Sequence, residues 1–348
     1  MLNGEVTGPK GAIGYTPTEY GLKVHLRPHD FSDVDLVGGL TESPVVLMRI
    51  PAVKKADEVT VRIPEEDLVA EPKFDGWLAE LVSGKIYSRR GEDLTGKIPK
   101  LTESYREQIP GKHHMVAELI YVSNKRQLQN VVTSICGTKD DDKASEKADI
   151  MEGSGRFKLV VFDVLANPKN ISGRPFSYRR EELEKYNLSG RLFMPPQAPF
   201  SKWKLVYATS IRSGGEGVVF KNINAPFPWK PMPAREPKPQ GIAYKLKREQ
   251  SDDFIVFSTF RTAKDTLMLR FGQLHNGRIV EVGKVNNLSE ENTEEADRLM
   301  SEGPFVIEIG YQARSADFPG KLRSPKFLRF RPDKPMESAT MPKGITQP

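Results

Sequence analysis

Lys73 stands in Glu71-Pro72-Lys73-Phe74-Asp75-Gly76, a polar stretch between two strand-like runs. Before it Val59-Thr60-Val61-Arg62-Ile63 alternates with period two; after it Trp77-Leu78-Ala79-Glu80-Leu81-Val82 is apolar and extended. A lysine beside Asp-Gly where a strand ends can be held against a ligand by a rigid sheet, and a nucleophilic amine would be built there. An attacking amine must be neutral, whereas free lysine titrates near about 10.4. Desolvation and nearby positive charge lower that value; Lys245 and Lys247, on one face by strand alternation, and a bound metal are the expected sources. Glu118 and Glu216 lie inside apolar strands, where an unpartnered carboxylate is costly, so they read as hard-oxygen ligands for Mg²⁺. Phe162 at a strand end offers a flat face to a purine, and Arg89 lies in Ser88-Arg89-Arg90-Gly91, which closes a strand and begins a polar loop. Each feature has a plain counterpart: a turn lysine, a core phenylalanine, a loop ion pair. The order in which they occur decides between the readings.

Taken in order, Lys73-Phe-Asp-Gly76, Ser88-Arg-Arg-Gly91, Glu118, Phe162-Asp163, Glu216-Gly-Val-Val-Phe-Lys221, Lys245-Leu-Lys247 and Arg331-Pro-Asp-Lys334 resemble the motif series of covalent nucleotidyltransferases. More narrowly, they look like ATP-dependent DNA ligases of the short, phage-like kind, from about residue 70 to the tail. The resemblance implies that Lys73 carries AMP from ATP, with Mg²⁺, then passes it to the 5′-phosphate of nicked double-stranded DNA, where the 3′-hydroxyl displaces it. It implies Glu71 at the adenine edge, Phe162 stacked on the base, and Glu118 serving the ribose and metal region. Glu216 would serve the metal, Lys245 and Lys247 the α-phosphate, and Arg89, with Ser88, the nick. Arg331, Asp333 and Lys334 would swing over the site to orient the pyrophosphate. One departure stands out: many such ligases carry an arginine five residues after the nucleophile, and here that position is Leu78.

The elements that must position these residues follow from pattern. Residues 1–45 are rich in Gly, Pro and isolated aromatics and read as an irregular extension, with no large helical domain before the lysine. Residues 46–248 mix strands and helices: strands at Gly84–Tyr87, Val116–Val122, Phe157–Leu165 and Gly217–Lys221, helices near Tyr178–Tyr186 and Trp203–Ile211, and Ser123 as N-cap of a helix through Ile135. Lys139–Glu152, dense in both charges, reads as a solvated loop or helix face, and Ala225–Gly241 is proline-rich and extended. That loop and the basic tail are expected to grip DNA. Residues 249–348 show three strands, a helix from about Glu290 to Met300 and two further strands, which fit a five-stranded oligonucleotide-binding barrel. The fold class expected is α+β: a nucleotidyltransferase (adenylation) domain with antiparallel sheets and helices, then a C-terminal OB-fold. The tail Lys321, Arg323, Lys326, Arg329, Arg331 and Lys334, faced in sequence only by Asp333, suits a phosphate backbone.

The totals bound the rest. The chain has 348 residues, 38% hydrophobic and 28% charged, enough for two domains with cores. Net charge +6 permits a polyanionic partner. The single Cys136 excludes an internal disulfide and a multi-cysteine zinc site, which argues against an NAD⁺-dependent ligase. No apolar run of about 18 residues and no signal peptide are read, so an intracellular, cytoplasmic monomer of phage or bacterial type, without a membrane, is expected. Rival readings are an RNA ligase, an mRNA-capping guanylyltransferase and, from another class, a non-catalytic nucleic-acid-binding protein. The His113–His114 pair reads as a turn.

Overall fold

Two sheets facing each other make the first of two units into which the chain divides, Met1–Leu246 and Lys247–Pro348. The computed structural model describes residues 40–47, 50–123, 126–127, 129–152, 156–227, 229–231, 240–314 and 319–342, with the backbone of 6–7, 12–13, 15–18 and 21–24. Its elements in the first unit are β1 (Leu68–Lys73), β2 (Trp77–Val82), β3 (Lys85–Ser88), α1 (Pro99–Gln108), β4 (His114–Ser123), α2 (Gln129–Cys136), α3 (Asp141–Glu152), β5 (Phe157–Asn167), α4 (Phe176–Glu184), α5 (Trp203–Arg212), β6 (Gly217–Asn222) and β7 (Ala243–Lys247).

One sheet runs β5-β4-β2-β3, with short strands added at its margins; the other places β1 beside β6 and β6 beside β7, with Ala52–Val53 on the far side. The pairs of β4 with β2 and β5, and of β1 with β6, are antiparallel. Alternation divides each strand between two faces. Ala79 and Leu81, Ala117 and Leu119, Leu159 and Val161 turn to one side and bury against Leu101, Tyr105, Val132, Ile135 and Ala144 of α1, α2 and α3. The other side of that sheet carries Leu78, Val116 and Glu118. In the second sheet Leu68, Ala70, Val218, Phe220, Tyr244 and Leu246 bury against Trp203, Val206 and Tyr207 of α5. Glu71, Lys73, Lys221 and Lys245 therefore face the other way, toward the first sheet.

Several expectations change. The run Val59–Ile63 is not a strand: Asp57–Thr60 form one helical turn, in which the Glu58 carboxylate accepts the Lys54 and Lys55 N–H groups at 3.2 and 3.0 Å. Val59 and Ile63 are buried and Val61 is 86% exposed, so the apolar spacing was i, i+4 rather than i, i+2. Glu71, Pro72 and Lys73 belong to β1, leaving only Phe74–Gly76 as the turn. Ser123 ends β4 and pairs with Arg126 instead of capping a helix, because the strand runs farther than its apolar core. Within 1–45, Val6–Thr7 pairs with Ala12–Ile13 and Tyr15–Thr18 with Gly21–Val24, hairpins too short to leave a period. In the proline-rich stretch, Trp229–Pro231 pairs with Val45–Leu47, while residues 228 and 232–239 lie outside the described residues.

The second unit is an antiparallel five-stranded sheet. Its elements are β8 (Gln250–Arg261), β9 (Leu267–His275), β10 (Arg278–Val285), α6 (Glu290–Glu302), β11 (Phe305–Tyr311) and β12 (Lys326–Phe330), in sheet order β10-β9-β8-β11-β12. Phe254, Phe271, Val282, Ile307 and Ile309 form its core, with Ala296 of α6. Ser289 caps α6 by accepting the Asn292 N–H at 3.2 Å. The whole is α+β with antiparallel sheets.

Candidate active site

Lys73 is the last residue of β1, fixed there by its own backbone. Its carbonyl accepts the Glu216 N–H at 2.8 Å and the Ser210 hydroxyl at 3.3 Å. The turn that follows is pinned from β4 and the segment leading into α2. Asp75 N–H donates to Gln127 Oε1 at 2.6 Å, Gly76 N–H to Glu118 Oε1 at 3.0 Å, and Gln129 Nε2 to the Gly76 carbonyl at 3.2 Å. Gly76 is required because a Cβ there would stand 2.1 Å from the Leu119 carbonyl.

The Lys73 ammonium lies 2.6 Å from Glu216 Oε2, with side chains 18% and 10% exposed. Burial pushes the amine down, but the fields of Glu118, Glu216 and Asp75 and the bond to Glu216 outweigh it, so Lys73 sits above its ordinary value. This reverses the expected depression: the carboxylates assumed to serve a metal are the nearest charges to the amine. Glu118 is pushed up to about 7, chiefly by burial and then by Glu216, against the pull of Lys73 and the Gly76 N–H. Two carboxylates beside one ammonium suit a hard divalent cation completed by phosphate and water oxygens, as Mg²⁺ prefers. Among the described residues no three His, Cys, Asp or Glu side chains converge as a ready-made metal cage.

Phe162 reaches this cleft by a bulge. Val116 pairs with Asp163 and Ala117 with Val161, so Phe162 is the extra residue, re-aimed out of simple alternation. Lys221 Nζ lies 4.9 Å from its ring centroid. Its neighbour Asp163 is spent on Arg179 of α4, at 2.7 and 2.9 Å, in a buried bidentate pair. Glu71 is 3% exposed, with Lys221 Nζ at 2.7 Å and Gln197 Nε2 at 2.7 Å. Leu78 joins the apolar cluster around Val116 and Phe162. Lys245 and Lys247 share a side of β7 opposite Tyr244 and Leu246, and the Lys245 N–H donates to the Pro51 carbonyl at 2.9 Å.

Ser88 is buried, and its hydroxyl accepts the Arg90 and Glu92 N–H groups at 3.3 and 3.2 Å, building the turn that presents half-buried Arg89. Glu92 in turn meets Lys97 at 2.6 Å, a 2% exposed lysine that also donates to the Cys136 carbonyl. In the second unit the tail is better balanced than its sequence implied. Arg331 pairs with Asp333 at 2.9 and 3.0 Å, but also with Asp253 at 2.9 Å and Glu308 at 3.6 Å, and Arg329 meets Glu308 at 2.7 Å. Arg331 holds the Asp333 carboxyl down at about 2. Lys321 and Lys326 are exposed, and Arg323 and Lys334 half-buried.

Lys221, Gln197, Arg180, Gln127 and Gln129 were not singled out by type and spacing. Only Lys221 left a signal, as the final residue of the Glu216 motif. His113 and His114 are buried, His114 against Glu80 at 2.9 Å and the Leu40 carbonyl at 2.7 Å, and so are structural rather than a surface turn.

The fold and this cleft define a protein built around a lysine between two carboxylates. Residues 48–232, just over half of the chain, match the family described as ATP dependent DNA ligase domain, and the chain belongs to that family. Archaeal DNA ligases are among its relatives. That of Methanosphaera stadtmanae is 24% identical over 234 residues, 64% of this chain and 39% of the relative. That of Archaeoglobus fulgidus is 25% identical over 329 residues, 84% of this chain and 57% of the relative. The chain thus spans about half the length of these relatives. A solved structure from work on Lig E DNA ligases shares the fold, with TM-score 0.59 at 15% identity, covering 82% of this chain and 98% of that one.

Proposed function

We propose that this chain is an ATP-dependent DNA ligase that seals nicks in duplex DNA, acting as a monomer. The observation that carries the reading is Lys73 Nζ at 2.6 Å from Glu216, on a strand end that also faces Glu118. Lys73 attacks the α-phosphorus of ATP, pyrophosphate leaves, and AMP is held on Nζ as a phosphoramidate. The AMP then passes to the 5′-phosphate at the nick, and the 3′-hydroxyl displaces it.

The chain's own residues supply positioning and charge. Phe162 stacks on the base and Glu71 lies at its edge. Lys245 and Lys247 neutralise the α-phosphate, and Arg89 takes the nick phosphate. Mg²⁺ held by Glu118 and Glu216 would screen the carboxylates that now favour the ammonium, so that Lys73 can be neutral when it attacks. The second unit is assigned as an OB-fold on its five antiparallel strands and one helix. Its exposed Lys321 and Lys326, with Arg323 and Arg329, track the phosphate backbone. Arg331, Asp333 and Lys334 orient the pyrophosphate, for which Arg331 must release Asp253 and Glu308.

The test is incubation with Mg²⁺ and α-labelled ATP or GTP, scored for acid-labile, alkali-stable label on the chain. Label from ATP that disappears in Lys73→Ala, and chases onto nicked DNA, is the expected result. Label from GTP alone would assign a capping enzyme. No label from either, with folded protein free of bound AMP, would leave a nucleic-acid-binding protein.

A further inference from the structure

Lysine is almost never fully buried unless it is paired. Lys97, in the loop that follows the Arg89 turn, is 2% exposed. Its Nζ donates to Glu92 Oε1 at 2.6 Å and to the Cys136 carbonyl at 3.0 Å. Cys136 ends α2, where the last carbonyls have no partner inside the helix and the dipole favours a cation. The Glu92 end of this tether is the turn itself. The Ser88 N–H donates to the Glu92 carbonyl at 2.8 Å, the Glu92 N–H to the Ser88 hydroxyl at 3.2 Å, and the Gly91 N–H to the Ser88 carbonyl at 2.8 Å. Arg89 thus sits in a small hydrogen-bonded ring that Lys97 fastens to a helix.

The same helix holds the turn after the nucleophile. At its first residue Gln129 Nε2 donates to the Gly76 carbonyl at 3.2 Å, and one turn on Thr133 Oγ1 accepts the Trp77 indole N–H at 3.1 Å. α2 has 8 residues, roughly 10 Å from first Cα to last. One end therefore holds the segment that follows Lys73. The other end holds, through Lys97 and Glu92, the turn that bears Arg89. Lysine adenylylation needs the first of these. Passing AMP from Lys73 to a 5′-phosphate needs both, because the phosphate and the adenylate must meet in line, and a misplacement of about 1 Å can cost about a hundredfold.

We infer that Lys97 is a positioning residue for AMP transfer, holding the Arg89 turn on α2. The inference rests on the ligase reading proposed above and on its assignment of Arg89 to the nick phosphate. Burial leaves Lys97 no surface to offer nucleotide or DNA, so it acts through Arg89. Without its ammonium, the Glu92 side chain, 50% exposed, turns into water, and the ring loses its attachment to the helix. Lysine adenylylation does not pass through this contact. The Lys73 carbonyl is held by Glu216 and Ser210, and the turn after it by Gln127, Gln129 and Glu118.

The two steps are measured separately on the full chain. Labelling with α-labelled ATP gives the first; lysyl-AMP freed of ATP and mixed with saturating nicked duplex gives the rate of transfer. Lys97→Met, which keeps an unbranched stem and removes the charge, is expected to slow transfer about tenfold or more and to leave the labelling rate within about twofold of wild type. In an Arg89→Ala background the same change is expected to add nothing, because both act through one contact. Unchanged transfer, equal loss in both steps, or losses that add to those of Arg89→Ala each overturn the inference. If Lys97→Met shows no cooperative unfolding, Glu92→Ala, at the half-exposed end of the tether, decides by the same measurements. A wild-type chain that forms no lysyl-AMP, or an Arg89→Ala variant that transfers AMP at the wild-type rate, would instead remove the underlying reading, and neither result depends on Lys97.

Discussion

At Lys73 the decisive quantity is the balance between burial, which favours the neutral amine, and two carboxylates, which favour the ammonium. The carboxylates win, with Glu216 Oε2 at 2.6 Å. Lysine adenylylation is therefore expected to accelerate as pH rises through about 7, where Glu118 ionises, and beyond it as Lys73 loses its proton. A single-turnover rate flat between pH 6 and 9 would contradict this. Glu118 also bears on stability. Its folded value of about 7 lies above the ordinary carboxyl value of 4.5, so its contribution is fully present below 4.5 and lost as pH rises through 7. Glu118→Gln should accordingly raise the melting temperature more at pH 8.5 than at pH 5, with a gain of up to about 3 kcal/mol, while abolishing adenylylation. Equal shifts at both pH values would assign Glu118 a different role.

At the level of elements, the turn after β1 is the vulnerable joint. Gly76 passes so close to β4 that an added Cβ would lie 2.1 Å from the Leu119 carbonyl and 2.8 Å from Ile120. The Leu119 carbonyl is backbone within a three-strand ladder and cannot give way, and the Ile120 contact is the γ-methyl of a β-branched side chain, which is stiff. Gly76→Ala should cost about 2–4 kcal/mol and reduce adenylylation more than stability alone explains, because the Gly76 N–H to Glu118 would be displaced. Chemical denaturation and labelling at saturating ATP measure the two effects separately. The bulge at Phe162 is the counterpart on β5: it takes one side chain out of register without interrupting the strand.

For the whole molecule, a net charge of +6 is modest, and much of the basic tail is engaged: Arg329 and Arg331 meet Glu308, Asp253 and Asp333. Exposed Lys321 and Lys326 remain the best candidates for phosphate contacts made without breaking those pairs. The double change Lys321→Ala, Lys326→Ala should weaken nicked-duplex binding and reduce the slope of log affinity against log salt by about two, with lysine adenylylation unchanged. An unaltered slope would place DNA elsewhere. Among the described residues no helix is long and apolar enough to cross a membrane.

Long elements with clean periodicity were legible in the amino-acid sequence: β4 with Glu118 in its middle, β11 at Phe305–Tyr311, α5 and α6. So was the serial order of Lys73, Glu118, Glu216 and Lys245. Local pattern failed where two periods fit the same residues, as at Val59–Ile63, and where a polar residue had two possible uses, as at Ser123. Only the tertiary structure decided the charge partners. Lys221 and Glu71 stand 150 positions apart in sequence yet meet at 2.7 Å because β1 and β6 pair in register; Asp253 and Arg331 meet because β8 and β12 flank β11. Residue type and spacing specify which groups can do chemistry. Electrostatic balance depends on distances across a sheet or between sheets, and those are fixed by register and packing that no single segment encodes.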